Sequence, residues 1–138
     1  MTSFDGVKVA LRCGNSIVVI QRDNKPGLRF AGMWDLPGGG RESNETPFEC
    51  AAREVVEELH ISIKPTSIAW QKLHPAMHDP SLHAYFIVAI IKKSDVDGII
   101  FGNEGQGWRL MPIDNFMRDP NVIEDLKTTR MQPYLNSL

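Results

Sequence analysis

The sequence predicts an α/β layered fold built on a mixed sheet, and three observations carry that prediction. Two β-branched runs, at 7–13 and 16–22, flank Gly14-Asn15, a dipeptide suited to a two-residue hairpin turn. Residues 47–60 show helical apolar periodicity behind Thr46-Pro47. Further strand-like runs and a C-terminal helical segment follow, an order that layers helices on a sheet.

Each element has its own justification. VKVALRC and SIVVIQR start the sheet. Residues 23–44 are rich in Gly, Pro, Asn and Asp, with only WDL offering an extended piece before Pro37 and Gly38–Gly40, so a long loop is expected. Loops of that length in compact domains usually carry function. Thr46 can cap free amides and Pro47 is tolerated in a first turn; Phe48, Ala51, Ala52, Val55 and Leu59 then repeat at helical spacing, and the helix should end near His60. Runs at 61–63, 67–73 and 82–91 read as strands, followed by a polar loop and a last strand at 107–111. Pro112 opens a short helix, and 120–136 is expected to form another.

Composition bounds what the chain does. At 138 residues it is the size of one domain, expected to span 1–138 without a linker or repeat. Apolar residues at 42% and charged ones at 23% are the balance of a globular protein. A net charge of -2 gives no general attraction for polyanions, so polymeric nucleic acid is not expected and any phosphate recognition must be local. The start MTSFDGVKV lacks the basic and apolar regions of a signal peptide, and FIVAII at 86–91 is too short to span a bilayer, so a cytoplasmic location without a membrane partner is expected. Cys13 and Cys50, without CxxC spacing, read as two buried free thiols.

The helix at 47–60 poses a chemical question. At about 100° per residue, Phe48, Ala52, Val55 and Leu59 form one apolar stripe, while Glu54, Glu57 and Glu58 gather opposite. Spacings of i, i+3 and i+4 set Cβ atoms about 5–6 Å apart, near enough for three carboxylates to converge on one small cation. A solvated acidic face is the plain alternative, and like-charge repulsion of a few tenths of a kcal/mol per pair does not decide against it. The preceding segment does. From Gly39 there are five residues to Glu45, seven more to Arg53, and then REVVEELHI.

This pattern resembles the Nudix box, G-x5-E-x7-R-E-U-x-E-E-x-G-U with U aliphatic, and departs from it at His60, where the pattern has Gly. The resemblance is tight over 34–61 and loose over most of the chain. It implies an α/β/α sandwich around a central mixed sheet and a loop-helix-loop that binds divalent metal at a pyrophosphate. By the same resemblance, Glu57, Glu58 and the Gly39 carbonyl bind metal, Glu54 is a metal-bridging ligand or the base, and Arg53 holds the carboxylates by salt bridges. Hard oxygen ligands suit Mg²⁺, with Mn²⁺ also acceptable. Gly38 and Gly39 are placed to let the backbone approach the substrate closely, unless they form an ordinary tight turn.

Residues outside the box follow with their alternatives. Glu104, between Gly102 and Gly105, is a second candidate base and metal neighbour on a mobile loop, or else a solvated loop carboxylate. Arg22 looks like the strand-end Arg that contacts phosphate in MutT-type members, or is a surface charge. Trp34 either packs in the core or shapes the base pocket. Asn121 looks like the Asn that hydrogen-bonds a purine in MutT-type members, or else caps the last helix. His74, His78 and His83 are interrupted by Pro75, Asp79 and Pro80 and joined by no cysteine, so zinc is not expected. His60 must accept a left-handed turn that Gly would take with less strain.

Together these imply a Mg²⁺-dependent, MutT-like hydrolase cleaving a nucleoside triphosphate to monophosphate and pyrophosphate. Dinucleoside polyphosphates, nucleotide sugars and capped RNA ends are the alternatives within the family. A non-catalytic nucleotide sensor is the alternative outside catalysis, and should lack one or more of the carboxylates that this sequence keeps. Oligomeric state is not legible.

Overall fold

A computed structural model describes residues 3–138. The two β-branched runs form strands β1 (Gly6–Cys13) and β2 (Ser16–Gln21), paired antiparallel across the Gly14-Asn15 turn, with Arg12 opposite Ile17. The expected long loop at 23–44 is broken by two short strands, β3 (Trp34–Asp35) on β2 and β4 (Gly38–Gly40) on β1. Helix α1 (Pro47–Leu59) follows, and then β5 (Ile68–Pro75) and β6 (His83–Ile90). A short helix α2 (Lys93–Asp97) precedes β7 (Gly107–Pro112) and α3 (Ile113–Arg118). The chain ends in a π-helical segment, Leu126–Met131, continued by α4 (Gln132–Asn136).

The sheet has seven strands in the order β3-β2-β1-β6-β5, with β7 also on β2 and β4 also on β1. β1 and β6 run parallel and the other pairs antiparallel, which makes the sheet mixed. Strand alternation sorts the core into two layers. Val7, Val9 and Leu11 of β1 join Val18, Ile87 and the α1 residues Cys50, Val55 and Leu59 on one face. Ala10, Ile17, Val19, Phe86 and Val88 turn to the other, against Phe116, Leu126 and Met131 of the C-terminal helices. This is the expected α/β/α sandwich.

Four local expectations need correction. Residues 61–63 form no strand: Ile61 and Ile63 are buried and Ser62 is exposed, but the run has no ladder partner and packs into the α1-side core. The polar stretch after β6 contains α2, whose five residues are too few to show a period; the Asp95 carboxylate accepts from the Lys92 N–H at its start. The last helix starts later than 120 and widens into a π turn, consistent with Pro133, which cannot donate to the Thr129 carbonyl four residues earlier. Of the two free thiols only Cys50 is buried; Cys13 is half-buried at the end of β1.

Candidate functional site

The box is built from β1 outward. β4 lies on the first half of β1, with Gly6, Val7 and Lys8 opposite Gly40, Gly39 and Gly38. Glycine is required at two points. Gly38 has φ +151°, and a Cβ there would come within 2.1 Å of the Val7 carbonyl oxygen. At Gly39 a Cβ would sit 2.4 Å from Oε1 of Glu54, so the strand and the α1 carboxylate lie in direct contact.

Helix α1 starts with a reciprocal cap: Thr46 Oγ1 accepts from the Glu49 N–H at 3.1 Å, and Glu49 accepts from the Thr46 N–H at 2.9 Å. Glu49 is thus spent on the cap. Arg53 donates to Glu45 with both Nε (2.8 Å) and Nη2 (3.1 Å), to the Gly40 carbonyl (2.8 Å), to Glu54 (3.0 Å) and to Glu57 (3.2 Å). One planar fork ties the loop, β4 and two helix carboxylates together. Its Glu45 partner holds the Arg53 pKa above the ordinary value, and Arg53 in turn draws Glu45 below its own.

The i, i+3, i+4 spacing brings Glu54, Glu57 and Glu58 to one side of α1 but does not by itself converge their carboxylates. Glu54 and Glu57 are turned onto Arg53, whereas Glu58 is half-buried and accepts from the Gly38 N–H at 3.2 Å. Burial first, then the neighbouring Glu54, push Glu58 up to about 8. Among the described residues no three His, Cys, Asp or Glu side chains stand together as a ready metal cage. The donor set nonetheless suits a hard divalent cation, with the carboxylates of Glu54, Glu57, Glu58 and Glu104 around a common space.

That space is a cavity of about 380 Å³ lined by Gly38–Gly40, Glu54, Glu57, Glu58, Gly102, Asn103 and Glu104. Glu104 therefore faces the helix carboxylates, but not from a free loop. The Ile100 and Gly102 N–H groups donate to Leu59 and Glu58 carbonyls left open at the end of α1 (3.1 and 2.8 Å), and Gln106 N–H donates to Gln21 (2.8 Å). The loop is pinned on both sides of Glu104. His60 ends α1 at φ 63°, ψ 29°, the expected left-handed position, with its N–H on the Val56 carbonyl.

Two further cavities adjoin the first. One of about 200 Å³ shares Gly38, Glu58 and Glu104 with it and is also lined by Lys8, Arg22 and Asp35. The next, about 270 Å³, shares Lys8, Arg22 and Asp35 with the second and Gly39 and Gly40 with the first, and continues to Phe30, Met77, Tyr85 and Arg130. Buried Asp35 forms the hinge between them: it accepts from Lys8 Nζ (2.9 Å), Arg22 Nη1 (3.1 Å) and the Leu36 N–H (2.7 Å). Acidic and basic walls thus meet at the glycine strand.

Of the residues expected from sequence, Gly38, Gly39, Glu54, Glu57, Glu58 and Glu104 line one cavity, Arg53 braces it, and Arg22 lines its neighbours. Trp34 and Asn121 line none of the three. They meet each other instead: Trp34 N–H donates to the Asn121 carbonyl (2.8 Å), the Asn121 amide donates to the Gly32 carbonyl (3.2 Å), and Arg109 stacks over the half-buried Trp34 ring. This ties the C-terminal segment to β3. Lys8, Asp35 and Arg130 were not foreseen. A signal existed for the first two, a charge at an alternating position of β-branched VKVALRC and an acid between Trp34 and Leu36.

Comparison with known proteins agrees with the box. The family model described as NUDIX domain matches residues 3–132. An 8-oxo-dGTP diphosphatase of Proteus vulgaris is 33% identical over 78 residues, 54% of this chain and 64% of that protein. An ADP-ribose pyrophosphatase of Methanocaldococcus jannaschii is 38% identical over 77 residues, 56% of this chain and 43% of that protein. These alignments span about half the length of the curated relatives. The solved MutT protein of Methanosarcina mazei Go1 superposes with a TM-score of 0.70 at 19% identity, covering 99% of both chains, which shows a shared fold.

Proposed function

The chain belongs to the NUDIX domain family, and from that premise we propose that it hydrolyses a nucleoside diphosphate-linked substrate, with a (deoxy)nucleoside triphosphate cleaved to monophosphate and pyrophosphate as the leading substrate. One observation carries the proposal: four carboxylates line a cavity that adjoins, across Gly38–Gly40, a pair of cavities walled by Lys8 and Arg22. A polyphosphate needs both, cations for its charge and acids for the metal that accompanies it.

Glu54, Glu57, Glu58, Glu104 and the Gly39 carbonyl are the groups that would hold Mg²⁺ or Mn²⁺. When bound, the ion supplies charge neutralisation and a more acidic water. The chain's own residues do the rest. Lys8 and Arg22 hold phosphate oxygens, and the glycine strand lets the diphosphate lie against the backbone. Glu104 or Glu54 accepts the proton as a water oxygen bonds to phosphorus and the bridging oxygen departs with the other half of the substrate. Arg53 acts as a positioning residue, fixing Glu54 and Glu57 relative to Glu45. Such a substrate is a small nucleotide, since a net charge of -2 gives no general attraction for a polyanion.

A second reading, an ADP-ribose type of substrate, is favoured by the likeness to the Methanocaldococcus jannaschii protein. The test is a panel of nucleoside triphosphates, nucleotide sugars, dinucleoside polyphosphates and capped RNA with Mg²⁺, read by phosphate and pyrophosphate release. Glu57→Gln should lower kcat by about 10²-fold or more with the melting temperature nearly unchanged, because a metal ligand and no core volume is lost. Near-normal activity would remove Glu57 from the metal set. Glu104→Gln should lower kcat with little change in metal affinity; an unaltered rate returns the base to Glu54. Tight nucleotide binding with no turnover of any substrate would make the chain a sensor.

A further inference from the structure

Arg130 is a charge that the fold buries without a direct ion pair, the Asp125 carboxylate acting on it only at longer range. It is 7% exposed, on the π turn, and no carboxylate among the described residues lies within ion-pair distance of it. Its Nη2 donates to the Pro75 carbonyl (2.7 Å) and its Nη1 to Thr129 Oγ1 (2.7 Å). Two of five N–H donors are thereby used, and three remain. Burying a guanidinium with no acid is costly, and structural arginines are normally paired. Lys8 and Arg22, on the same cavity wall, share Asp35 as such a partner.

The side chain lines the 270 Å³ cavity that continues from the phosphate-facing wall, beyond Lys8 and Arg22. Two half-buried aromatics, Phe30 and Tyr85, line it with Met77 and offer contact to a flat ring, while Asp5, Arg29 and His78 supply polar groups on the remaining walls. Phe30 is held at φ 55°, an unusual conformation for a bulky residue, with Arg29 stacked 4.8 Å from its ring centroid. A guanidinium can only donate. Its match is therefore a group offering acceptors alone, of which the O6/N7 edge of a keto-purine and a second phosphate are the two nucleotide examples. An adenine edge presents an amino donor to it and fits less well.

We propose that Arg130 is a substrate-binding, specificity-determining residue that takes the acceptor-only edge of the group carried by the diphosphate. The choice of ligand class rests on the nucleotide hydrolase reading above, but the test does not use turnover. GMP, AMP and adenosine 3′,5′-bisphosphate are titrated calorimetrically, without metal, into the wild-type chain, Arg130→Gln and Arg130→Lys. A wild-type preference of about tenfold for GMP over AMP, lost in Arg130→Gln, assigns the keto edge. The same preference for the bisphosphate over AMP, likewise lost, assigns the distal phosphate. Because Arg130 also anchors the C-terminal helix to Pro75, melting temperatures are recorded alongside. A merely structural role lowers melting while leaving the affinity ratios intact, and that result overturns the proposal, as does equal wild-type affinity for all three ligands. Should Arg130→Gln fail to fold, the Arg130 Nε–H resonance of the wild-type chain, followed on GMP and bisphosphate addition, decides: a shift with either and not with AMP supports the contact, and no shift refutes it.

Discussion

His60 holds a left-handed conformation that a glycine would adopt without Cβ strain, at φ 63°. His60→Gly should therefore stabilise the chain by about 0.5–1 kcal/mol, the strain relieved exceeding the added freedom of the unfolded chain. On a domain of this length that is roughly 2–4 °C in melting temperature, measured by thermal denaturation. Activity should change little, since His60 lines none of the three cavities. A lower melting temperature would mean that His60 makes compensating contacts. At this scale the box was largely legible, because its spacing is local: Glu45 and Arg53 are eight residues apart and meet as a bidentate pair at 2.8 and 3.1 Å. Lys8 and Asp35, 27 residues apart, meet only through strand pairing, which no local spacing announces.

Elements bring the glycine strand, the helix and the pinned loop to one cavity, and two neighbouring glycines should separate fold from site. In Gly38→Ala the new Cβ would meet a main-chain oxygen of β1 at 2.1 Å, at φ +151°. Neither side can yield, and a loss of about 2 kcal/mol or more is expected in urea denaturation, with β4 released from β1. In Gly39→Ala the clash is with the Glu54 carboxylate, at 2.4 Å. A side-chain end can turn away, so stability should fall by under about 1 kcal/mol while Mg²⁺ affinity and kcat each fall about tenfold or more, from titration and steady-state rates. Equal stability losses in both variants would deny the distinction. The periodicity of α1 and the β-branched runs were legible because each spans several repeats of its pattern. The five residues of α2 and the three of β4 were not, since elements that short carry no period and form through tertiary pairing.

Across the whole molecule, the sheet sets opposite charges side by side: carboxylates of α1 and the 99–106 loop on one side of the glycine strand, Lys8, Arg22 and Arg130 on the other. A net charge of -2 conceals that separation, which is why composition could not locate the phosphate wall. Among the described residues no helix is long and apolar enough to cross a membrane. The basic side has a consequence for the core. His74, 8% exposed and edge-on to Phe86, has no hydrogen-bond partner at Nε2, and burial, with Arg130 and Lys72 nearby, pulls its pKa down to about 4. The unfolded chain, with His near 6.5, then binds more protons than the folded one between those values. Stability from this group is complete above about pH 6.5 and is lost as pH falls toward 4, by on the order of 1–3 kcal/mol. His74→Gln removes the titration, so the stability difference between the two chains should narrow by that amount between pH 7 and pH 4.5 in denaturant titrations, other groups cancelling in the comparison. Parallel pH profiles would place the wild-type imidazole in contact with solvent or a proton acceptor, and Arg130 too far away to repel its charge.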